Sequence, residues 1–138
     1  MSASVNLAGR LTDDPQLKFS AKGTAVATFT VVTARRYLDK ADNSWKETET
    51  SFWNVVAFGQ LAENVCESLE KGTSVIVNGR AYQEKWQTKE GENRYSWKVT
   101  AEDIAPSMRW TQVSVRKTDR AHAQPGGPSQ SEYDEPPF

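Results

Sequence analysis

Apolar and polar residues alternate in short blocks through the first three quarters of the chain, and a helical spacing appears once among them. "SVNLAGRLTDDPQLKF" reads as a strand interrupted by the turn signal Asp13-Asp14-Pro15. "TAVATFTVVTARRYL" is a long β-branched run that ends in cationic and aromatic residues. After the polar loop "DKADNSWK", a second long strand, "ETETSFWNVVAF", opens with a Thr/Glu alternation that suggests a solvated, projecting half. In "GQLAENVCESLEKG", Leu61, Ala62, Val65, Cys66 and Leu69 share one helical face, with Lys71 near the end and Gly72 as the stop. "TSVIVNGRAYQEKWQ" and "RYSWKVTAED" are then strands joined through "TKEGEN", a Gly-containing hairpin loop. The expected fold class is all-β. Five strands with one α-helix between the third and fourth match a five-stranded Greek-key barrel, the OB-fold.

Beyond Pro106 the pattern weakens. "SMRWTQVSV" is expected to add a short strand, packed either on its own barrel or on a neighbouring subunit. From Arg116 onward Pro, Gly, Ser and Gln dominate, with too little apolar content to build a core. The predicted organisation is therefore a folded domain over residues 1–115 and a disordered tail over 116–138.

Composition narrows the chemistry. A single cysteine, Cys66, excludes an intrachain disulfide and a thiolate zinc cluster. A single histidine, His122, falls in the tail, which argues against Ser–His–Asp and Cys–His nucleophiles. No Gly-rich phosphate loop is present, and no leader or membrane-length apolar run is seen, so the expectation is a soluble intracellular protein without cofactor or metal. The net charge of -1 argues weakly against a simple basic nucleic-acid binder, but the distribution of charge matters more than its sum.

The aromatic residues change that picture. In "SFWNVVAF", Phe52, Asn54, Val56 and Phe58 share one strand face, and Trp53, Val55 and Ala57 share the other. Two rings six residues apart make a platform roughly 20 Å long. Tyr37 follows Arg35 and Arg36, and Trp86 follows Lys85. Rings interleaved with cations suit single-stranded nucleic acid, whose bases stack on the rings while its phosphates meet the cations. Taken alone, Phe29 and Phe58 read as core, Trp45 and Trp97 as packing on a loop or a subunit contact, and Cys66 as a small core residue. Glu47 and Glu49 are placed on one strand face, spaced as a glycosidase pair might be, yet without a pocket signal they read as a solvated surface.

Taken in order, "VNLAGRLTDDPQLKF", "GTAVATFTV", "ETSFWNVVAFGQLAENVCESLEKG", "VIVNGRAYQEKW" and "GENRYSWKV" resemble the bacterial single-stranded DNA-binding proteins. The resemblance covers roughly the first 106 residues and implies a homotetramer of OB-fold protomers. Such an assembly wraps and protects single-stranded DNA without sequence preference in replication, recombination and repair, and has no catalytic role. It implies base stacking on Tyr37, Phe52, Phe58 and Trp86, and phosphate contacts at Lys18, Lys40, Lys71 and Lys85; placement alone adds Arg36 and Arg94. The chain departs from the family pattern in several places. Tyr37 and Phe52 stand where Trp is frequent, and Trp53 where a smaller residue is frequent. Asn54, Gln60 and Glu84 stand where a cation is frequent.

The end of the chain, "SEYDEPPF", also resembles the family's acidic Pro-Phe terminus. Asp134, Glu135, Pro136, Pro137 and Phe138 are thereby expected to recruit DNA replication, recombination and repair proteins. The implied location is cytoplasmic and nucleoid-associated. The alternatives within binding modules are an accessory protein of replication restart and an RNA-binding module. From another class, a small enzyme would have to use Glu47 and Glu49, or Asp13 and Asp14.

Overall fold

The alternating pattern lays down six strand segments and one helix in the computed structural model, which describes residues 1–118. β1 (Ala3–Leu11) and β2 (Gln16–Phe19) are the two halves of the first expected strand, parted at Asp13-Asp14-Pro15. β3 (Ala25–Asp39), β4 (Ser44–Phe58), β5 (Ser74–Gln87) and β6 (Asn93–Pro106) follow, with α1 (Gln60–Ser68) between β4 and β5. With β1 and β2 counted together, this is the five-stranded OB-fold with its helix in the expected place. A single sheet runs β1-β5-β6-β4-β3-β2, and a further pairing of β1 with β3 closes it.

Strand parity decides what enters the barrel. Ala25, Ala27, Phe29 and Val31 of β3, Val55 and Ala57 of β4, and Val75, Val77 and Val99 of β5 and β6 are buried with Leu7 and Leu11 of β1. Ala62 and Val65 of α1 close one end of this core, together with Leu69 just behind the helix. Two glycines permit the close backbone approaches that closure needs. A Cβ on Gly9 would lie 2.2 Å from the Val32 carbonyl oxygen, and one on Gly79 would lie 2.4 Å from that of Thr100.

The structure corrects four local expectations. The helix ends at Ser68 rather than at Gly72, because Leu69 turns extended (φ -112°, ψ 147°) and enters the core. The turn behind it is held to the end of β1 and to the β1–β2 turn: Lys71 N–H donates to Asp14 Oδ1 at 2.7 Å, and Gly72 N–H to the Leu11 carbonyl at 2.9 Å. Secondly, the polar loop shrinks to a tight turn, since Ser44, Trp45 and Lys46 already belong to β4. Thirdly, residues 107–118 form no strand; Ser107 N–H donates to the Ser74 carbonyl, and Arg109 and Trp110 share a cleft with residues of β1 and β3. Fourthly, Glu47 and Glu49 do not share a face. A bulge sets Glu49 and Thr50 opposite Ala34 alone, with Glu49 at φ 55°. Glu47 is thus paired with Arg36, whereas Glu49 reaches Arg35 at 3.9 Å.

Candidate nucleic-acid interface

The outward parity of β2, β3, β4, β6 and β5 aligns side chains in rows across the sheet. Lys18 lies opposite Val26, which lies opposite Phe58. Gln16, Thr28, Val56, Thr100 and Arg80 form the next row, followed by Thr30, Asn54, Lys98 and Tyr82. Val32 is flanked by Phe52 on β4 and by Arg10 on β1. Further along the β5–β6 arm, Trp86 is paired with Arg94 on the same parity. The platform expected from "SFWNVVAF" is therefore present: Phe52 is 67% exposed and Phe58 50%, while Val55 and Ala57 point into the core. Phe58 is not the core residue that its type alone suggested, whereas Phe29, at 7% exposed, is.

Between the rings runs a groove of about 470 Å³ with a floor of Thr28, Thr30, Asn54 and Val56 and a rim including Asp13, Asp14 and Lys98. Thr30 Oγ1 donates to Asn54 Oδ1 at 3.3 Å, which fixes the amide. Hydroxyls and an amide on this floor offer hydrogen bonds to bases without selecting one. Charge on the face is partly self-compensated. Lys98 Nζ is 3.0 Å from Glu84, Arg94 is 2.9 Å from Glu92, and Arg80 is 3.5 Å from Glu102. Lys18, by contrast, makes no ion pair among the described residues.

Several expected site residues lie elsewhere. Tyr37 is opposite Lys46, and Arg36 is opposite Glu47, so these neighbours occupy opposite faces of the β3–β4 hairpin arm. By the same parity Tyr37 falls on the side of Thr33 and Trp53, away from Phe52. Lys85 is paired with Tyr95 on the face opposite Trp86. Lys40 sits in the hairpin turn and Lys71 in the turn after α1, both exposed. Sequence reasoning missed Arg10, Arg80, Tyr82 and Lys98, all of them on the outward parity. For the last three, the alternation of "GRAYQEKW" and "RYSWKV" carried that signal.

The hairpin tip is fastened by charge. Lys46 Nζ lies 2.6 Å from Asp39 and 3.2 Å from Asp42. Hydrogen bonds from Lys46 and from the Ala41 N–H hold the Asp39 carboxyl below its ordinary value; those from Ser44 and Lys46 do the same for Asp42. Trp53 is half-buried against the core, and its Nε1–H donates to Thr33 Oγ1 at 3.0 Å. Burial, and then the charge of Glu67, push the Cys66 thiol up, so it is a poor nucleophile. The acidic tip Asp134–Phe138 and His122 lie outside the described residues, as does most of the expected tail. No helix among the described residues is long and apolar enough to cross a membrane.

Comparison with known proteins gives a consistent answer. The single-strand binding protein family matches residues 3–107. The chain is 41% identical over 124 residues to the single-stranded DNA-binding protein of Paenarthrobacter aurescens, spanning 90% of this chain and 72% of that one. It is 40% identical over 118 residues to the protein of the same name from Mycolicibacterium smegmatis, spanning 86% and 72%. Among solved structures, the small single-stranded DNA-binding protein of Streptomyces coelicolor superposes with a TM-score of 0.69 at 27% identity, over 78% of this chain and 96% of that one.

Proposed function

We propose that this chain, which belongs to the single-strand binding protein family, binds single-stranded DNA without sequence preference across the outward sheet face. The family is non-enzymatic, so the task is to hold a strand, not to change it. One observation carries the reading: Phe52, Phe58 and Trp86 stand exposed on one parity, interspersed with Lys18, Lys98 and Arg94. An exposed ring gains little in water, but a stacked base contributes about 1–3 kcal/mol per ring. Cations between the rings meet the phosphates. Arg36 contacts the strand where this face continues past Phe52, and Tyr37, Lys40, Lys71 and Lys85 contact it where it runs off the face along the arms and turns.

The working unit in this proposal is a homotetramer that wraps and shields DNA during replication, recombination and repair in the cytoplasm, at the nucleoid. Residues 1–115 bind and assemble, and 116–138 tether the acidic tip that recruits enzymes of DNA metabolism. Titration with poly(dT) tests the central claim. Stacked bases should quench the fluorescence of Trp86, and light scattering should give the mass of four chains. Unchanged fluorescence together with no mobility shift at low salt would refute the binding reading.

A further inference from the structure

The Phe52 face does not stop at Phe52. Val32 lies opposite Phe52, and Ala34 and Arg36 continue its parity toward the hairpin tip, about 13 Å further along β3. Two adjoining clefts open there. The first, about 300 Å³, is lined by Arg10, Val32, Arg36, Glu47, Arg109 and Trp110 among others. The second, about 520 Å³, is lined by Arg36, Trp45, Arg109 and Trp110 alone. In the single chain Trp110 is 82% exposed and Trp45 63%. Each ring carries a guanidinium: Arg36 Cζ is 5.6 Å from the Trp45 centroid, and Arg109 Cζ is 5.5 Å from that of Trp110.

We propose that Trp45 and Trp110 form a second stacking station, a clamp for bases of a strand that has left the Phe58–Phe52 platform. This rests on the platform reading given above. A guanidinium lying over an indole steadies the ring and leaves its N–H edge free for a phosphate oxygen. Arg10, Arg36 and Arg109 face one carboxylate, Glu47, in the two clefts, so the local charge is positive and suits a polyanion. Continuity with the Val32–Phe52 pair favours the DNA strand itself over a separate ligand. Trp110 reaches the clefts from the irregular segment after β6.

The test uses the full chain and two labelled oligo(dT) strands, about 6 and about 30 nucleotides long, near the bottom of and beyond the range of one OB-fold site. Trp45→Ala and Trp110→Ala should leave binding of the short strand unchanged and weaken the long strand about tenfold each. Both rings are exposed, so folding should survive, and circular dichroism checks that it does. With 5-iododeoxyuridine in the long strand, irradiation should give a cross-link at Trp45 or Trp110. If both variants bind the long strand like the unaltered chain, the clamp is wrong and the platform stands. If Trp110→Ala lowers the mass in light scattering and the affinity loss follows it, the patch is a contact between copies, which also overturns the clamp. If the unaltered chain binds neither strand, the platform reading falls and takes the clamp with it.

Discussion

Glu84 lies on the proposed binding face, where it would oppose a phosphate, and removing its charge makes a sharp test. It stands on the outward parity of β5, two residues before Trp86, and holds Lys98 Nζ at 3.0 Å. Glu84 is exposed and Lys98 half-buried but still reached by water, so the pair stabilises the fold by about 1 kcal/mol or less. Glu84→Gln should therefore leave folding intact while changing binding in two ways. A like charge removed at about 7 Å from a phosphate in water is worth about 0.6 kcal/mol, close to threefold in affinity. Lys98, released from its partner, gains a phosphate contact and with it a counterion to displace.

That second effect has its own signature. Each phosphate contact on a single strand steepens the fall of log K with log salt by about 0.7. Glu84→Gln should bind oligo(dT) about threefold or more tighter at low salt, and lose about 2.6-fold of that advantage over a fourfold rise in salt. The assay is anisotropy of a labelled oligonucleotide at four salt concentrations, with Glu67→Gln on α1 as the control for net charge. Parallel lines for all three proteins would refute the placement of Lys98 and Glu84 on the DNA path. An equal gain for Glu67→Gln would show that net charge, not the face, is responsible.

Two further outcomes are expected. Gly79→Ala should destabilise the barrel by about 3 kcal/mol or more at fixed protein concentration, because its Cβ meets the Thr100 carbonyl 2.4 Å away, a backbone atom that cannot rotate aside; an unchanged denaturant midpoint would count against the closure described. The hairpin tip should open in acid: Asp39 and Asp42 titrate below their ordinary values, so their contribution is present above about pH 4 and lost as pH falls through the lowered values. Lys46 is raised by the same partners, so its share is lost only at alkaline pH, above the ordinary lysine value. Amide exchange at Ala41 and Ser44, whose N–H groups donate to Asp39 and Asp42, reports the change, and protection unaltered from neutral pH to pH 2 would contradict it.

The sequence showed most where one local rule acts alone. Alternation placed Phe52 and Phe58 outward and Val55 and Ala57 inward, and helical spacing picked Ala62 and Val65 for the core. It misled where a single backbone residue resets the count. The bulge at Glu49–Thr50 reverses parity along β4, so Glu47 and Glu49 part company and Trp45 comes to lie beneath Arg36. Nothing in "ETETS" announces a left-handed glutamate, because the conformation is imposed by the register on either side. The helix end is another such case. Gly72 was a sound stop signal, but Leu69 gains more from the barrel interior than from one further helical turn, and Asp14 is there to receive the Lys71 N–H.

The same geometry removes the objection raised by a net charge of -1. Lys18, Lys98, Arg80, Arg94 and Arg10 collect on the outward parity, while Glu63, Glu67 and Glu70 lie on or just behind α1 at the barrel's end. Three of the outward cations are nonetheless already paired with glutamates. Each pair must open before its cation can take a phosphate, so fewer net counterions are displaced than the cation count suggests. In the proposed binding mode electrostatics would then supply a smaller share of the affinity, and stacking on Phe52, Phe58 and Trp86 a larger one. A protein built this way would hold its strand through rises in salt that strip a more cationic relative, and would depend correspondingly more on each ring.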